Sequence, residues 1–235
     1  LDSYQMLFAD RRIVRYYFNT ILYAVVGTVI MLSATSLMAF PLTFRDLRGK
    51  NLVVILLSIT MFFSGGLVPF YLTVLTLGLV DTIWALVLPG AITAWYVIIF
   101  RTFMQSIPES LKESAYMDGA GHFSVLYHIV LPLSKPLLAT FTLFHVVGHW
   151  NDFFTALVFL RHQDKQPVQL FLRRILILLD YRDIEQDPGL ISLDAVNSRT
   201  VKAAAVMITI TPILCIYPFL QKYFTKGILI GALKN

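Results

Sequence analysis

Four stretches of this 235-residue chain, 18–44, 51–80, 82–100 and 203–221, contain no Asp, Glu, Lys or Arg. A fifth, 136–160, is interrupted only by Asp152. A helix that crosses a bilayer needs about 20 predominantly apolar residues, and each stretch meets or nearly meets that length. Hydrocarbon offers the backbone no hydrogen-bond partner, so such runs satisfy themselves as helices. The expected fold is an all-α membrane protein, a polytopic helical bundle with five spans at roughly 17–41, 52–76, 82–101, 137–160 and 201–223. Composition agrees, because 14% of the residues are charged where a soluble domain has roughly 25%.

The remaining charge sits in the connections. Residues 1–16 are polar, carry Arg11, Arg12 and Arg15, and lack the apolar core of a signal peptide. Counted over every connection, Lys and Arg divide almost evenly between the two sides. Short connections weigh most in the positive-inside rule. Discounting the long 161–200 connection places Arg45, Arg48, Lys50, Arg101, Lys112 and Lys135 in the cytoplasm. The segment 101–136 is then a cytoplasmic loop and 225–235 a cytoplasmic tail, while 1–16 and 161–200 lie outside. The net charge of +5 flanks the spans, and no basic cluster interleaved with exposed aromatics points to nucleic acid. The single cysteine, Cys215, lies in an expected span and reads as a small buried filler.

The segment 101–136 is too polar for hydrocarbon. Ser106-Ile107-Pro108-Glu109 matches a Ser-x-x-Glu capping box and predicts a helix over 103–118. Leu111, Ala115 and Met117 are expected on its apolar stripe, with Glu109, Lys112 and Glu113 on the polar side. Gly119 and Gly121 end it, and a second short helix over 122–130 is expected to stop at Pro132 and Pro136. The result is a helix–turn–helix bracket outside the bilayer, with a small-residue corner at Ala115, Gly119 and Ala120.

Glu113-Ser114-Ala115, Gly119 six residues after the Glu, and Ile129-Val130-Leu131-Pro132 resemble the cytoplasmic EAA loop of binding-protein-dependent ABC importer permeases. Ser114 stands where the family usually has Ala, a small-for-small change. Asn19-Thr20, Ser64-Gly65-Gly66-Leu67-Val68-Pro69, Trp150-Asn151-Asp152-Phe153-Phe154 and Lys226-Gly227…Gly231-Ala232 extend the resemblance to carbohydrate importer permeases. Within these the chain looks closest to the oligosaccharide and polysaccharide subfamily, including the permeases of alginate import. The resemblance implies the type I importer fold, a bacterial cytoplasmic-membrane location and a six-span family pattern whose first span is expected to be missing here. It also implies a homologous second permease, two ABC ATPase subunits that bind ATP and Mg, an extracytoplasmic solute-binding protein and a saccharide cargo. Glu113, Ser114, Ala115, Asp118, Gly119, Ala120, Gly121, Ile129, Leu131 and Pro132 would form the ATPase-coupling surface. The chain has no Gly-x-x-x-x-Gly-Lys-Ser/Thr phosphate loop, so it is not itself the ATPase. No catalytic residue, metal site or cofactor of its own is expected.

Ionisable groups within spans are functional candidates. His145, His149 and Asp152 fall at i, i+4 and i+7 on one helix face. They fit a translocation path together with Asn151, a proton relay in an ion-coupled secondary transporter, a metal site, or hydrogen bonds between helices. Ser64-Gly65-Gly66 with Pro69 interrupts the second span, a break that either lines a path or is a packing kink. Trp84, Trp95 and Tyr96 read as packing or anchoring residues, with sugar stacking as the alternative use of their rings. Outside, 169–179 is an amphipathic run with Arg173 and Arg174 on its polar side, and 180–189 reads as turn-rich. That loop is either a docking surface for a solute-binding protein or a solvated face.

Overall fold

The computed structural model describes residues 12–185, 200–212 and 214, and the helices lean on one long member. That helix, α1 (Arg12–Ala39), is about 42 Å long at 1.5 Å per residue, enough to cross a bilayer. Ile13, Tyr16, Thr20, Tyr23, Gly27, Met31 and Thr35 recur at helical spacing along its buried face. Val14, Phe18, Ile21, Val25, Val29 and Leu37 are exposed on the other side. An apolar outer face of this extent belongs against lipid or another membrane chain.

Three of the other expected spans are broken. The run 52–76 divides into α2 (Lys50–Phe62) and α3 (Leu67–Thr76), which bend by 118° across the gap. Phe63 there is extended and Gly66 takes a φ of 79°. The run 82–101 contains only the four-residue α4 (Trp84–Val87) before α5 (Ala94–Gln105), because Pro89-Gly90 interrupts it. The run 137–160 becomes α8 (Lys135–Asn151) and α9 (Phe154–Phe159), separated at an extended Asp152. Among the described residues one helix is long and apolar enough to cross alone, or three if each bent pair counts as one span. The last expected span is seen as α11 (Thr200–Pro212), and Cys215 and the glycine-rich tail lie outside the described residues.

Between α5 and α8 lies the bracket, formed by α6 (Glu109–Met117) and α7 (His122–Leu133). Three expectations fail here. The helix over 103–118 is two helices, since Ile107 and Pro108 separate them. No capping box forms: Pro108 is the cap residue, and the Ser106 hydroxyl donates instead to the Phe103 carbonyl at 2.7 Å. Pro132 does not stop α7, because a wide π turn over Leu126–Val130 precedes it and relieves the i−4 contact that proline would violate. The chain turns only at Ser134, where α7 and α8 meet at 78°.

Before α11, α10 (Val168–Glu185) carries helix into the stretch expected to be turn-rich as far as Glu185, and the remainder of that stretch, with Pro188-Gly189, lies outside the described residues.

Polar bonds fasten the two ends of α1. At its start Arg15 pairs with Asp164 at 2.9 Å, and Asn19 Nδ2 donates to the Asp164 and Gln166 carbonyls. Tyr23 donates to the Lys165 carbonyl at 2.6 Å, and Thr20 Oγ1 accepts the Val168 amide. Behind this loop stands Asp81, whose φ of 62° is a left-handed value that Asp tolerates better than most residues. Its carboxylate accepts the amides of Arg161 and His162 and the Lys165 ammonium, and pairs with His162 Nδ1. Burial pushes the Asp81 carboxyl up, but these donors outweigh it and hold it well below the usual carboxylate range. At the far end Arg101 Nε donates to the Leu42 carbonyl at 3.0 Å, and Lys50 donates to the Phe44 carbonyl.

Asp81→Asn keeps the shape but removes the charge. We expect a loss of about 1–3 kcal/mol, because His162 and Lys165 are partly exposed. Hydrogen exchange at the Arg161 and His162 amides should quicken while the middle of α1 is unchanged. The same clamp persists above the ordinary carboxylate value near pH 4 and is lost only as the pH falls toward the depressed folded value. Exchange that accelerates already between pH 7 and 5 would contradict this.

Candidate functional site

Two regions carry the functional candidates, a cleft between helices and the bracket. The cleft, about 390 Å³, is lined by Phe70 from α3, Tyr96 from α5, and Phe144, His145 and His149 from α8. Asp152 completes it at the break before α9. The structure thus brings His145, His149 and Asp152 to one surface, as their spacing requires.

Their surroundings separate the roles left open by sequence. His145 Nδ1 lies 3.1 Å from Thr28 Oγ1 of α1, and its ring meets that of His149 edge-on at 4.5 Å. Asp152 Oδ1 accepts the Thr155 amide at 3.0 Å and so starts α9. A bond between helices is therefore present for His145, that of Asp152 is local to the break, and both side chains also line the cleft. No group of three or more His, Cys, Asp or Glu suited to a metal exists among the described residues. Asn151 is exposed and outside the cleft, with Gln169 Nε2 of α10 at 3.4 Å from its Oδ1. Gly65 and Gly66 border a neighbouring hollow of about 520 Å³, which shares Phe70 with the cleft.

Sequence reading overlooked three features here. Gly27 of α1 packs so closely on His149 that a Cβ built there would lie 2.6 Å from His149 Nε2. Tyr96, read as a packing residue in preference to a sugar-stacking one, packs edge-on against Phe141 at 4.9 Å and also lines the cleft. Asp81, a lone charge between two charge-free runs, was legible as an exception to the pattern.

The bracket is built around Gly119. Its φ of 84° ends α6 in a Schellman turn, with Ala120 N donating to the Ala115 carbonyl at 2.9 Å and Gly119 N to the Tyr116 carbonyl at 3.0 Å. Glu113, Ser114, Asp118, Gly119, Gly121 and Pro132 are exposed, while Ile129 and Leu131 pack partly on the core. Ala115 and Ala120 also pack on that core, so the expected small-residue corner is only partly open. The outward surface instead gains Met117, Phe123 and Tyr127, each at least 70% exposed. Lys112, expected on the polar side, is buried. Tyr116 lies 3.0 Å from His122 Nδ1, and burial pushes its phenol up, keeping it neutral.

On α10, Arg173 stacks on the Phe153 ring at 4.4 Å from its centroid, and Arg174 donates to Gln166 at 2.6 Å. Both are half-buried rather than fully presented to solvent.

A bundle of broken apolar helices around a cleft, with a polar helical bracket at one end, is the arrangement of a transport permease. The chain belongs to the family of binding-protein-dependent transport system inner membrane components, whose pattern matches residues 12–230. It is 44% identical to protein LplC of Bacillus subtilis, over the whole of this chain and 79% of that protein. It is 40% identical to the polygalacturonan/rhamnogalacturonan transport system permease YtcP of the same organism, covering all of this chain and 82% of YtcP. A solved bacterial ABC transporter involved in the import of the acidic polysaccharide alginate contains a chain that superposes with a TM-score of 0.84. That match has 32% identity and covers 94% of this chain and 79% of the other. The location in the inner membrane follows from the family.

Gly27→Ala should displace His149 and reduce transport. Replacing His149 by Ala as well removes the clash, so the double variant should lose less than the two single effects added together. Additive losses, read from uptake rates in all four variants, would show that this packing does not matter to the cleft.

Proposed function

We propose that this chain is one permease subunit of an ATP-driven importer and forms, with a homologous permease, the path for an oligosaccharide or polysaccharide. A solute-binding protein delivers the cargo outside, and two ATPase subunits holding ATP and Mg work inside. The observation that carries this reading is the bracket. It is anchored inward by Val125, Leu126 and Val130 and turned on a left-handed Gly119. Outward it offers an acidic and apolar surface of Glu113, Asp118, Met117, Phe123 and Tyr127. An exposed apolar cluster rimmed by charge is a docking surface, and here it suits an ATPase subunit.

Saccharide cargo is supported by the relatives' assigned transport of polygalacturonan/rhamnogalacturonan and alginate. The cleft has suitable chemistry, since Tyr96, Phe70 and Phe144 supply flat apolar faces and the two histidines and Asp152 supply hydrogen bonds. We assign the broken runs 52–76, 82–101 and 137–160 as crossings, with 17–41 and 201–223, giving five in this chain. Residues 161–200, including Arg173 and Arg174, form the outer surface on which a binding protein docks.

Among the described residues, its chain neighbours apart, nothing lies within 4 Å of a Cβ built at Gly119. An Asp there costs the chain only about 1–2 kcal/mol of backbone strain, while its side chain enters the space of a docked partner. Gly119→Asp should therefore insert normally but capture little ATPase on purification and lose uptake. Normal uptake by this variant would sink the assignment. In the cleft, Asp152→Asn retains an acceptor for the Thr155 amide whereas Asp152→Ala does not. Retained uptake in the Asn variant with loss in the Ala variant assigns Asp152 to geometry, and equal loss assigns it to charge.

A further inference from the structure

The bracket must pass displacement to the cleft if it couples to an ATPase, and Lys112 is the one bracket cation that is buried, at 9% exposure. Its Nζ donates to the Met104 carbonyl at 3.1 Å. Met104 is fully buried in the last turn of α5 (Ala94–Gln105), where carbonyls have no partner within the helix. A cation there also meets the negative end of the helix dipole. Burial pushes the ammonium down and Glu109, one turn back on α6, pushes it up. Around this bond the contact is apolar: Phe100, Met104 and Ile107 share one core with Val125, Leu126 and Val130 of α7. The other end of α5 carries Tyr96, which lines the cleft against Phe141 and His145.

We propose that Lys112 is a positioning residue that locks the bracket to the end of α5, so that movement of the bracket is delivered along α5 to Tyr96. The inference rests on the ATPase-coupling reading above. The lock uses the two properties that an exposed lysine would lack. Its ammonium cannot swing into water without leaving the α5 carbonyl unpaired, and its stem is itself buried. The exposed pair of Arg45 with Glu109, at 3.7 Å, joins the bracket to the same end of the bundle but is free to part.

The test uses the assembled transporter, with its partner subunits, in liposomes. Cys215 is replaced by Ser and Tyr96 by Cys, and the rate of N-ethylmaleimide labelling is compared without nucleotide and with ATP plus orthovanadate. With Lys112 intact the two rates should differ by about fivefold or more, a typical coupling between sites. Lys112→Met fills the same space without a donor, and should retain assembly and basal ATP hydrolysis while the two labelling rates converge. Lys112→Arg restores a donor and should restore the difference. A merely structural lysine would lower assembly and hydrolysis together and leave the labelling ratio of surviving complexes unchanged, which overturns the proposal. Failure of both the Met variant and a Lys112→Gln variant to assemble makes Lys112 a folding residue and also overturns it. If the chain with Lys112 intact captures no ATPase, the coupling reading itself fails and the lock falls with it. Captured ATPase with an unchanged ratio in Lys112→Met refutes the lock alone.

Discussion

Within hydrocarbon every backbone N–H and C=O has to be paired by the protein itself. In this chain α1 meets that demand unaided, as one continuous helix. The others do not, because Phe63–Gly66, the Pro89-Gly90 stretch and Asp152 each interrupt a run that would otherwise cross. Every interruption leaves backbone groups that need cover from protein or from water in a cavity. The structure answers by packing α8 and α5 against α1 and by placing the breaks around the cleft and its neighbouring hollow. The irregular backbone and the polar cleft therefore have the same cause. A path for polar cargo is where broken helices can be tolerated, and broken helices are what line it.

The packing of α8 on α1 determines what the cleft presents. Gly27 lacks the Cβ that would collide with His149, and Thr28 one residue on bonds His145. A glycine and a threonine on one helix thus hold two successive turns of the next. The two histidine rings are in contact, so one cannot reorient without disturbing the other. Asp152 is fixed from the opposite direction through the start of α9. The polar residues of the cleft are consequently held by structure before any ligand arrives, which lowers the ordering cost of binding.

How much of this was legible follows from which forces acted locally. The run 18–44 declared α1, since continuous apolarity over that length has few other outcomes. Gly119 declared the end of α6, because a left-handed turn is a backbone property that glycine advertises. The Ser-x-x-Glu pattern misled because the Ser106 hydroxyl finds a nearer carbonyl at the end of α5 than any amide of α6. Pro132 misled for a related reason, since a wide turn before it removes the clash that would have ended the helix. Pro89-Gly90 was a visible turn signal lost within an apolar run. The burial of Lys112 was not legible, as nothing near it in sequence shows that the last turn of α5 returns to cover it. Nor was the closeness of Gly27 to His149, which depends on two helices more than a hundred residues apart.

The bundle is thus fastened differently at its two ends, and the difference bears on how it can move. At the start of α1 the fastening is a dense set of directional bonds, with Asp81 in a left-handed conformation and its carboxylate saturated by donors from one loop. Such a cluster resists small displacements, because each bond lost leaves a charged group less well paired. At the far end the directional bonds are fewer, Lys112 tying α6 to α5 and Arg101 reaching the Leu42 carbonyl, and the rest of the contact is an apolar core on which the tied bracket and α5 can shift together. Shear of packed helices against one another is an established mode of conformational change, and it needs a surface without many fixed hydrogen bonds. A stiff end at the start of α1 and a more compliant end at the bracket is therefore the arrangement expected if the driving displacement enters at the bracket. In that case the bonds around Asp81 would be the fixed point against which α5 and α8 move, and the cleft that lies between the two ends would change shape with them.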